Sequence, residues 1–569
     1  MRKSQRPNPT KNPSSRQSHV ELLETRALMA AHIAGSSTAY ATIQAAVNAA
    51  APGAVINVDA GNYAELVTIN KSLTIRGADA GIDARSSGRG GSKESIVTGA
   101  SAPTGTSAAF YVNANDVTLD GLTVQGENNG ANVLTGAGIV VAPNISGVHI
   151  LNNIVQNNVS GMFLANASAT DPAIIQHNLF QNNNNNGANG GRGIYTDGSL
   201  FGALIQNVVI DSNTFINNRG GSGTTTAEAA IAFEAQTPGK QSNIRITNNI
   251  FQNNGKAVLF FNTVNILFQG NTVTGQVDSA GTVRFEGGDV NVTIDNNTIT
   301  NNGGAGIAID NKGVGYHDSG FTIAYNNIYS NSKDWGDKLS VIANAAAYDG
   351  PLNAINNWWG AASGPGGNGP GTGDTIYGNG NYNAGKQWTK SAGGNALFSP
   401  WATTAFAAPA LPATPTSFLA VAQAPVAPAI NPQVLLTWQP AGASQDAFEI
   451  DRLTDGITFS AYAIVPATTA SFIDANVATT TIYYYRIAAI DAAGNSAYTS
   501  VAKATTSPSA MVQLSSLPWV SATAGWGTVQ LNQSIKDNPL TLRGAVYSTG
   551  LGTHAASTIV YNLAGNYTS

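Results

Sequence analysis

One short phrase recurs through residues 136–360 and limits what this chain can fold into. It reads ILNNIVQNN at 150–158, then IIQHNLFQN, VIDSNTFIN, RITNNIFQN, LFQGNTVTG, TIDNNTITN and TIAYNNIYS. One Asn holds the same place in every copy: Asn153, Asn178, Asn213, Asn249, Asn271, Asn297 and Asn326, spaced by 25, 35, 36, 22, 26 and 29 residues. Repeats of that period mean a solenoid, in which each unit buries its apolar face only against its neighbours.

A second phrase falls between the copies: GAGIVVA, SGMFLA, RGIYTDG, AAIAFEA, KAVLFFN, GTVRFEG and GAGIAID. Both phrases alternate apolar and polar residues over five or six positions between Gly, Asn and Asp, which is strand spacing. Two or three short strands per repeat with no helix between them predict a parallel β-helix. Each coil then lies about 4.8 Å above the last, so equivalent residues stack in columns. The repeated Asn falls at a bend, where stacked amides hydrogen-bond from coil to coil; its expected role is structural.

Only 10% of the 569 residues are charged and 62 are Gly, which suits stacked coils with tight turns. The net charge is −5, yet the first 26 residues carry six Lys or Arg against two Glu, so the body holds 21 basic and 30 acidic residues, about −9. A mildly acidic body excludes anionic partners held by charge alone, nucleic acid among them. Neutral glycans, or acidic ones bridged by a cation, remain compatible. With no Cys there is no disulfide, thiolate zinc site or thiol nucleophile. No stretch approaches 18 consecutive apolar residues, so no membrane span is expected, and the chain is expected to be monomeric.

Residues 1–35 read as a disordered tail, in which 1–19, of Arg, Lys, Pro, Asn and Ser, are followed by VELLETRALMA. That segment resembles the LEPR-XLL motif, a sorting signal at the start of very large bacterial surface proteins. Leu23, Glu24, Arg26 and Leu28 match, Thr25 replaces the motif's Pro, and Met29 stands for a Leu. The resemblance implies export to the cell surface or beyond. At 40–81, YATIQAAVNAAAPGAVINVDAGNYAELVTINKSLTIRGADAG places Ile43, Ala46, Val47 and Ala50 on one helical face before a PG break and a strand. A lone amphipathic helix there would cover the open end of the solenoid. This phrase and the repeats, over 36–400, resemble pectate-lyase-like β-helix proteins, which implies a right-handed coil and fixes no reaction. The phrase INNWWGAASGP at 355–365 is similar to the C-terminal coils of that family, and Trp358 and Trp359 are candidates for stacking on sugar rings or for closing the open end.

Residues 401–416 form an Ala/Pro/Thr linker. Within 417–507, VLLTWQP, FEIDRL and TIYYYRIAAIDAAGNSAYTSVAKATT resemble a fibronectin type III domain, with Trp438 as core Trp and Tyr483 at the tyrosine corner. Within 511–569, LPWVSATAGWG and PLTLRGAVYSTGLGTHAAS resemble the first part of the NPCBM module, a carbohydrate-binding β-sandwich attached to glycoside hydrolases. Its Trp519 and Trp526 are candidate sugar contacts. The match covers only the first part of that module, so the expectation is a fragment of a longer protein, with a module that no longer folds as the alternative. The fold class is therefore all-β, a right-handed parallel β-helix followed by β-sandwich domains.

Alternation puts Ile231 and Phe233 inside the coil and Ala232 and Glu234 outside. The same register gives one outward column: Ala142, Ala165, Asp197, Glu234, Phe261, Glu286, Asp310, with Arg284 beside it. Four carboxylates in five coils are conspicuous in so uncharged a chain. Asp197, Glu234, Arg284, Glu286 and Asp310 are the candidate catalytic residues. Neighbouring rungs sit about 4.8 Å apart and Glu234 and Glu286 roughly 10 Å apart, the spacing at which paired carboxylates cleave glycosidic bonds. The same column would alternatively bind Ca²⁺, with Arg284 as the basic residue of a lyase, or be plain surface charge with Arg284 paired to a neighbour. No HExxH, GxSxG, P-loop or Rossmann fingerprint occurs, and His177 and His317 stand alone. The expectation is an exported polysaccharide-active protein, hydrolase or lyase; its alternative is a non-catalytic surface adhesin with the solenoid as a rigid glycan-binding arm.

Overall fold

The computed structural model describes residues 30–562 apart from 87–88, 91–92, 102–106, 129–135, 188–189, 199–201, 221–227, 236, 238, 311–314, 333–337, 345, 384–386, 391–394, 408–411, 424–431, 443–444, 446, 454–458, 492–493, 497 and 508–513. The segment with Leu23, Glu24, Arg26 and Leu28 lies outside the described residues.

Three long sheets of 16, 13 and 10 strands wrap one core, and within the coils their strands pair in parallel. One coil shows the pattern. Gln241–Thr247 belongs to the first sheet, Ile250–Gln252 to the third and Lys256–Phe261 to the second; the chain then re-enters the first at Thr263–Gln269. Each bend needs one residue in left-handed backbone, and Asn supplies it at Asn248, Asn253 and Asn262, with φ of 55°, 54° and 59°. The residue after it points into the coil and becomes a rung. Asn153 N–H donates to Asn178 Oδ1 at 2.8 Å, and the pattern continues through Asn213, Asn249, Asn271, Asn297 and Asn326 to Asn357. Each amide also donates back to the coil behind, as Asn178 Nδ2 does to the Ile150 carbonyl at 2.7 Å.

A second ladder runs five residues later, at the bend into the second sheet: Glu127, Asn158, Asn183, Asn218, Asn254, Gln276, Asn302, Asn331 and Asp374. The doublets NN…NN thus encode a left-handed residue followed by a rung, twice per coil. Between the ladders the core is apolar. Phe180, Phe215, Phe251 and Phe268 stack at 5.0, 5.1 and 5.9 Å between ring centres, each burial contributing about 2–3 kcal/mol.

The helix predicted near residue 43 is Ile43–Ala49, and Ile43, Ala46 and Val47 are its buried face. Thr42 caps it, and the Glu65 carboxylate accepts from the Ile43 and Gln44 N–H groups at 2.8 and 2.9 Å, placing negative charge at the helix N-terminus. Ala31–Ile33, expected in the tail, is instead a strand antiparallel to Val55–Val58 that extends the first sheet. At the far end the linker does not begin at 401: Trp401 donates to the Ala362 carbonyl, and Phe406 exchanges hydrogen bonds with the Asn327 amide. Apolar contact with the last coil holds these residues to the solenoid.

Beyond it, Thr416–Gln423, Gln433–Gln439 and Ser471–Asp474 form one sheet. Ser460–Pro466, Ala447–Leu453, Ile482–Asp491, Gly494–Asn495 and Ala502–Thr505 form the other. Their shared core holds Trp438, Phe448, Tyr483 and Tyr485. Tyr483 hydroxyl accepts from the Ala478 N–H at 2.7 Å, the tyrosine corner. Residues 514–562 are three two-stranded ribbons: Ser521–Thr523 with Thr558–Val560, Gln530–Leu531 with Leu551–Gly552, and Leu540–Leu542 with Ala545–Tyr547.

Candidate functional site

The second sheet brings the predicted column together. Asp197 pairs in register with Glu234, and Glu234 with Phe261. The Glu286 N–H donates to the Phe260 carbonyl and the Asp310 N–H to the Phe285 carbonyl, which carries the column through two more coils. Phe233, Phe260 and Phe285 stack inside the coil at 5.8 and 5.6 Å, so the alternate residues point outward.

Outward does not mean exposed here, and this corrects the expectation of an open face. On the adjoining column Phe163, Tyr195, Ala232, Leu259, Arg284 and Ala308 are all buried. The segment between Ile307–Ile309 and Leu339–Asn344 brings the Tyr316 ring edge-on to Phe261 at 4.8 Å, and Ala305, Ala308, Leu339 and Ile342 form an apolar cluster of their own.

Beside these residues lies a charged cluster. Arg284 Nε sits 3.2 Å from Glu286 Oε1, and its Nη2 donates to Asp310 Oδ2 at 3.2 Å. Lys256, fully buried, pairs with Asp278 at 2.8 Å. Burial pushes the Lys256 ammonium below its usual range, opposed by the Asp278 charge beside it. Glu234 is half-buried, one rung beyond Phe261 on the other side from Glu286.

Two further carboxylates sit at the bend from the second sheet to the first. The Thr263 N–H and hydroxyl donate to Asp289 Oδ1 at 2.8 and 2.5 Å, and the Asp289 N–H donates to Asp318 Oδ1 at 2.8 Å. Among the described residues neither buried Oδ2 atom has a hydrogen-bond partner. Burial raises Asp289 to about 7, with the Glu286 charge adding to it. Asp318 is raised well above the carboxylate range by burial and by Asp289, Asp310 and Asp349.

Sequence reading missed Lys256, Asp278, Tyr316, Asp289 and Asp318. For the last two a signal existed: Thr263, Asp289 and Asp318 are spaced by 26 and 29 residues, as are Asn271, Asn297 and Asn326.

Among the described residues no three His, Asp or Glu side chains come together in a way that could hold a metal ion. At the column the Arg284 guanidinium lies between Glu286 and Asp310, where a Ca²⁺ would need open oxygens. The residues do not fit that ion.

Trp359 is fully buried in the last coil and cannot stack on a sugar. Trp358, half-buried, bridges Asn327 on the third sheet. Trp519 is half-buried, and Trp526 is 58% exposed with its ring 6.4 Å from that of His554. His177 occupies a left-handed bend, where burial lowers its pKa, and His317 pairs with Asp349 at the surface.

Residues 206–357 match the family model for the right handed beta helix region. This stretch is a right-handed parallel β-helix. Residues 510–569 match the NPCBM/NEW2 domain, and no curated protein matches the chain. Among solved structures, a DFA-IIIase from Arthrobacter chlorophenolicus A6 is 14% identical, with 61% of this chain and 83% of that one covered and a TM-score of 0.31. An Fn3-like protein from Clostridium thermocellum is 24% identical over 17% of this chain and 95% of its own, TM-score 0.15. A beta-1,2-glucanase from Parabacteroides distasonis is 25% identical over 18% of this chain and 14% of its own, TM-score 0.14. Likenesses at these scores carry no conclusion about activity.

Proposed function

We propose an exported, modular polysaccharide-binding protein whose β-helix processes a glycan at the outer face of its second sheet. The supporting observation is the outward column of that sheet. Two carboxylates in unlike surroundings, half-buried Glu234 and Arg284-bound Glu286, flank Phe261 two rungs apart. The NPCBM/NEW2 match at 510–569 supplies the link to carbohydrate. Export rests on the LEPR-XLL-like segment; among the described residues no helix is long and apolar enough to cross a membrane.

Two rungs put the backbones of Glu234 and Glu286 roughly 10 Å apart, and side chains of that length can narrow the gap to the separation of an inverting pair, about 6.5–9.5 Å. One carboxyl would protonate the leaving oxygen while the other activates water, with Arg284 fixing Glu286. A lyase reading is less well served, because Arg284 is held by two carboxylates and Lys256 is fully buried against Asp278.

A second reading, the non-catalytic rigid arm, is favoured by those same ion pairs, in which Arg284 ties up both Glu286 and Asp310. The full chain incubated with neutral, acidic and sulfated polysaccharides distinguishes the two. Release of reducing ends, or of ultraviolet-absorbing unsaturated ends, supports processing; binding without product supports the arm. Neither binding nor product would remove the glycan reading.

A further inference from the structure

A separate cleft lies on the outer face of the third sheet, away from the charged column. Its volume is about 270 Å³, and its walls include Arg85, Ser86 and Arg89 facing Ile154, Gln156, Leu179 and Gln181. From the loop between Thr74–Arg76 and Ser95–Thr98, Arg85, Ser86, Arg89 and Glu94 form one wall. Arg89 holds Glu94 through Nε and Nη2 at 2.9 and 3.0 Å, while its Nη1 donates to the carbonyls of Ile82 and Asn152 at 2.9 and 2.5 Å. Thr123 hydroxyl donates to Glu94 at 2.8 Å. Because these bonds reach coils far along the chain, the wall is built before any ligand arrives.

The floor is amphipathic. Ile96, Thr123, Ile154 and Leu179 follow one another in register, and beside them Gln125, Gln156 and Gln181 form a ladder, each Nε2 donating to the Oε1 of the rung before at 2.7 and 2.6 Å. The ladder ends at Gln181, whose partner in the next coil is Ile216. Among the described residues Gln181 Oε1 therefore has no acceptor role filled, and each amide keeps a second N–H. Arg85 is held by Asp83 and Arg89 by Glu94, so the charges of the wall cancel.

We propose that this cleft is a second glycan subsite, taking one end of a neutral polysaccharide chain. Leu179, partly exposed beside the buried Ile154, meets the apolar face of a sugar ring, and Gln156, Gln181 and the rim of Arg85 meet its hydroxyls. The rungs advance by about 4.8 Å, close to the step of one ring along an extended β-linked glycan, so successive rings fall on successive coils. A cleft without net charge and lined by amides selects hydroxyls over carboxylates or sulfates. The inference rests on the glycan reading above but not on catalysis.

Calorimetry of the full chain with neutral gluco-, xylo- and manno-oligosaccharides tests it. A Gln156→Ala/Gln181→Ala variant should lose affinity at least tenfold, and Ser86→Trp, which plugs the mouth from an exposed loop without touching the coil, should do the same. Ile464→Ala, at an exposed position of the sandwich over 417–507, should leave that binding unchanged. Affinity kept by both cleft variants but lost by Trp526→Ala, in the C-terminal module, overturns this subsite and leaves the glycan reading standing. No binding by any member of the panel overturns both.

Discussion

At the scale of single residues the decisive property is burial of charge in a chain that has little of it. Asp289 is held at about 7 by burial, whereas its carboxyl in the unfolded chain titrates near 4. Between those values the native state keeps a proton that the unfolded chain has released, so stability falls as pH rises through that window and stays low above it. Asp289→Asn does not titrate and keeps the rung's acceptor. It should unfold at higher urea than the parent at pH 8, by roughly 4 kcal/mol at most, and at the same urea near pH 4; a variant weaker at pH 8 would contradict the assignment. Lys256 and Asp278 give a second contrast. Asp278→Asn leaves a buried ammonium without its countercharge and should cost about 3 kcal/mol. Lys256→Met, which keeps the volume, should cost far less in the same urea titration.

At the scale of elements, stability comes from the two ladders. Asn249→Ala removes the acceptor of the Asn213 N–H and the donor to the Ile210 carbonyl, both buried. The loss should be about 2–4 kcal/mol, and Asn357→Ala, in the last rung of that ladder, should lose less; equal losses would mean that the rungs do not act through their neighbours. Much of this was legible in the sequence. The Asn of the first ladder, the helix face of Ile43, Ala46 and Val47, and the inward and outward sets of the second sheet all follow from periodicity, because a coil repeat and a two-residue alternation leave one register. What escaped is set by contacts between distant segments. Alternation says that Ala232 points out of the coil, and says nothing of whether a connection folds over it. Arg284 is near Glu286 by sequence, but its bond to Asp310 and the Lys256–Asp278 pair depend on where the bends place side chains.

At the scale of the molecule, a solenoid with an amide-rich surface carries β-sandwich modules at its C-terminal end, and one of them matches the NPCBM/NEW2 domain. Rigid coils hold side chains at fixed intervals, which is what recognition of a repeating polymer asks for. Two of its three outer faces differ: the second sheet carries a paired, buried charge cluster, and the third presents amides and an aliphatic side chain in a cleft. The most direct measurement is product release from a polysaccharide panel by the full chain and by Glu234→Gln, since Glu234 is half-buried and its loss leaves the Arg284 pairs in place. Parent activity that falls at least a hundredfold in Glu234→Gln, with an unchanged circular dichroism spectrum, is the predicted result. Undiminished release by Glu234→Gln would contradict the placement of glycan processing on this face.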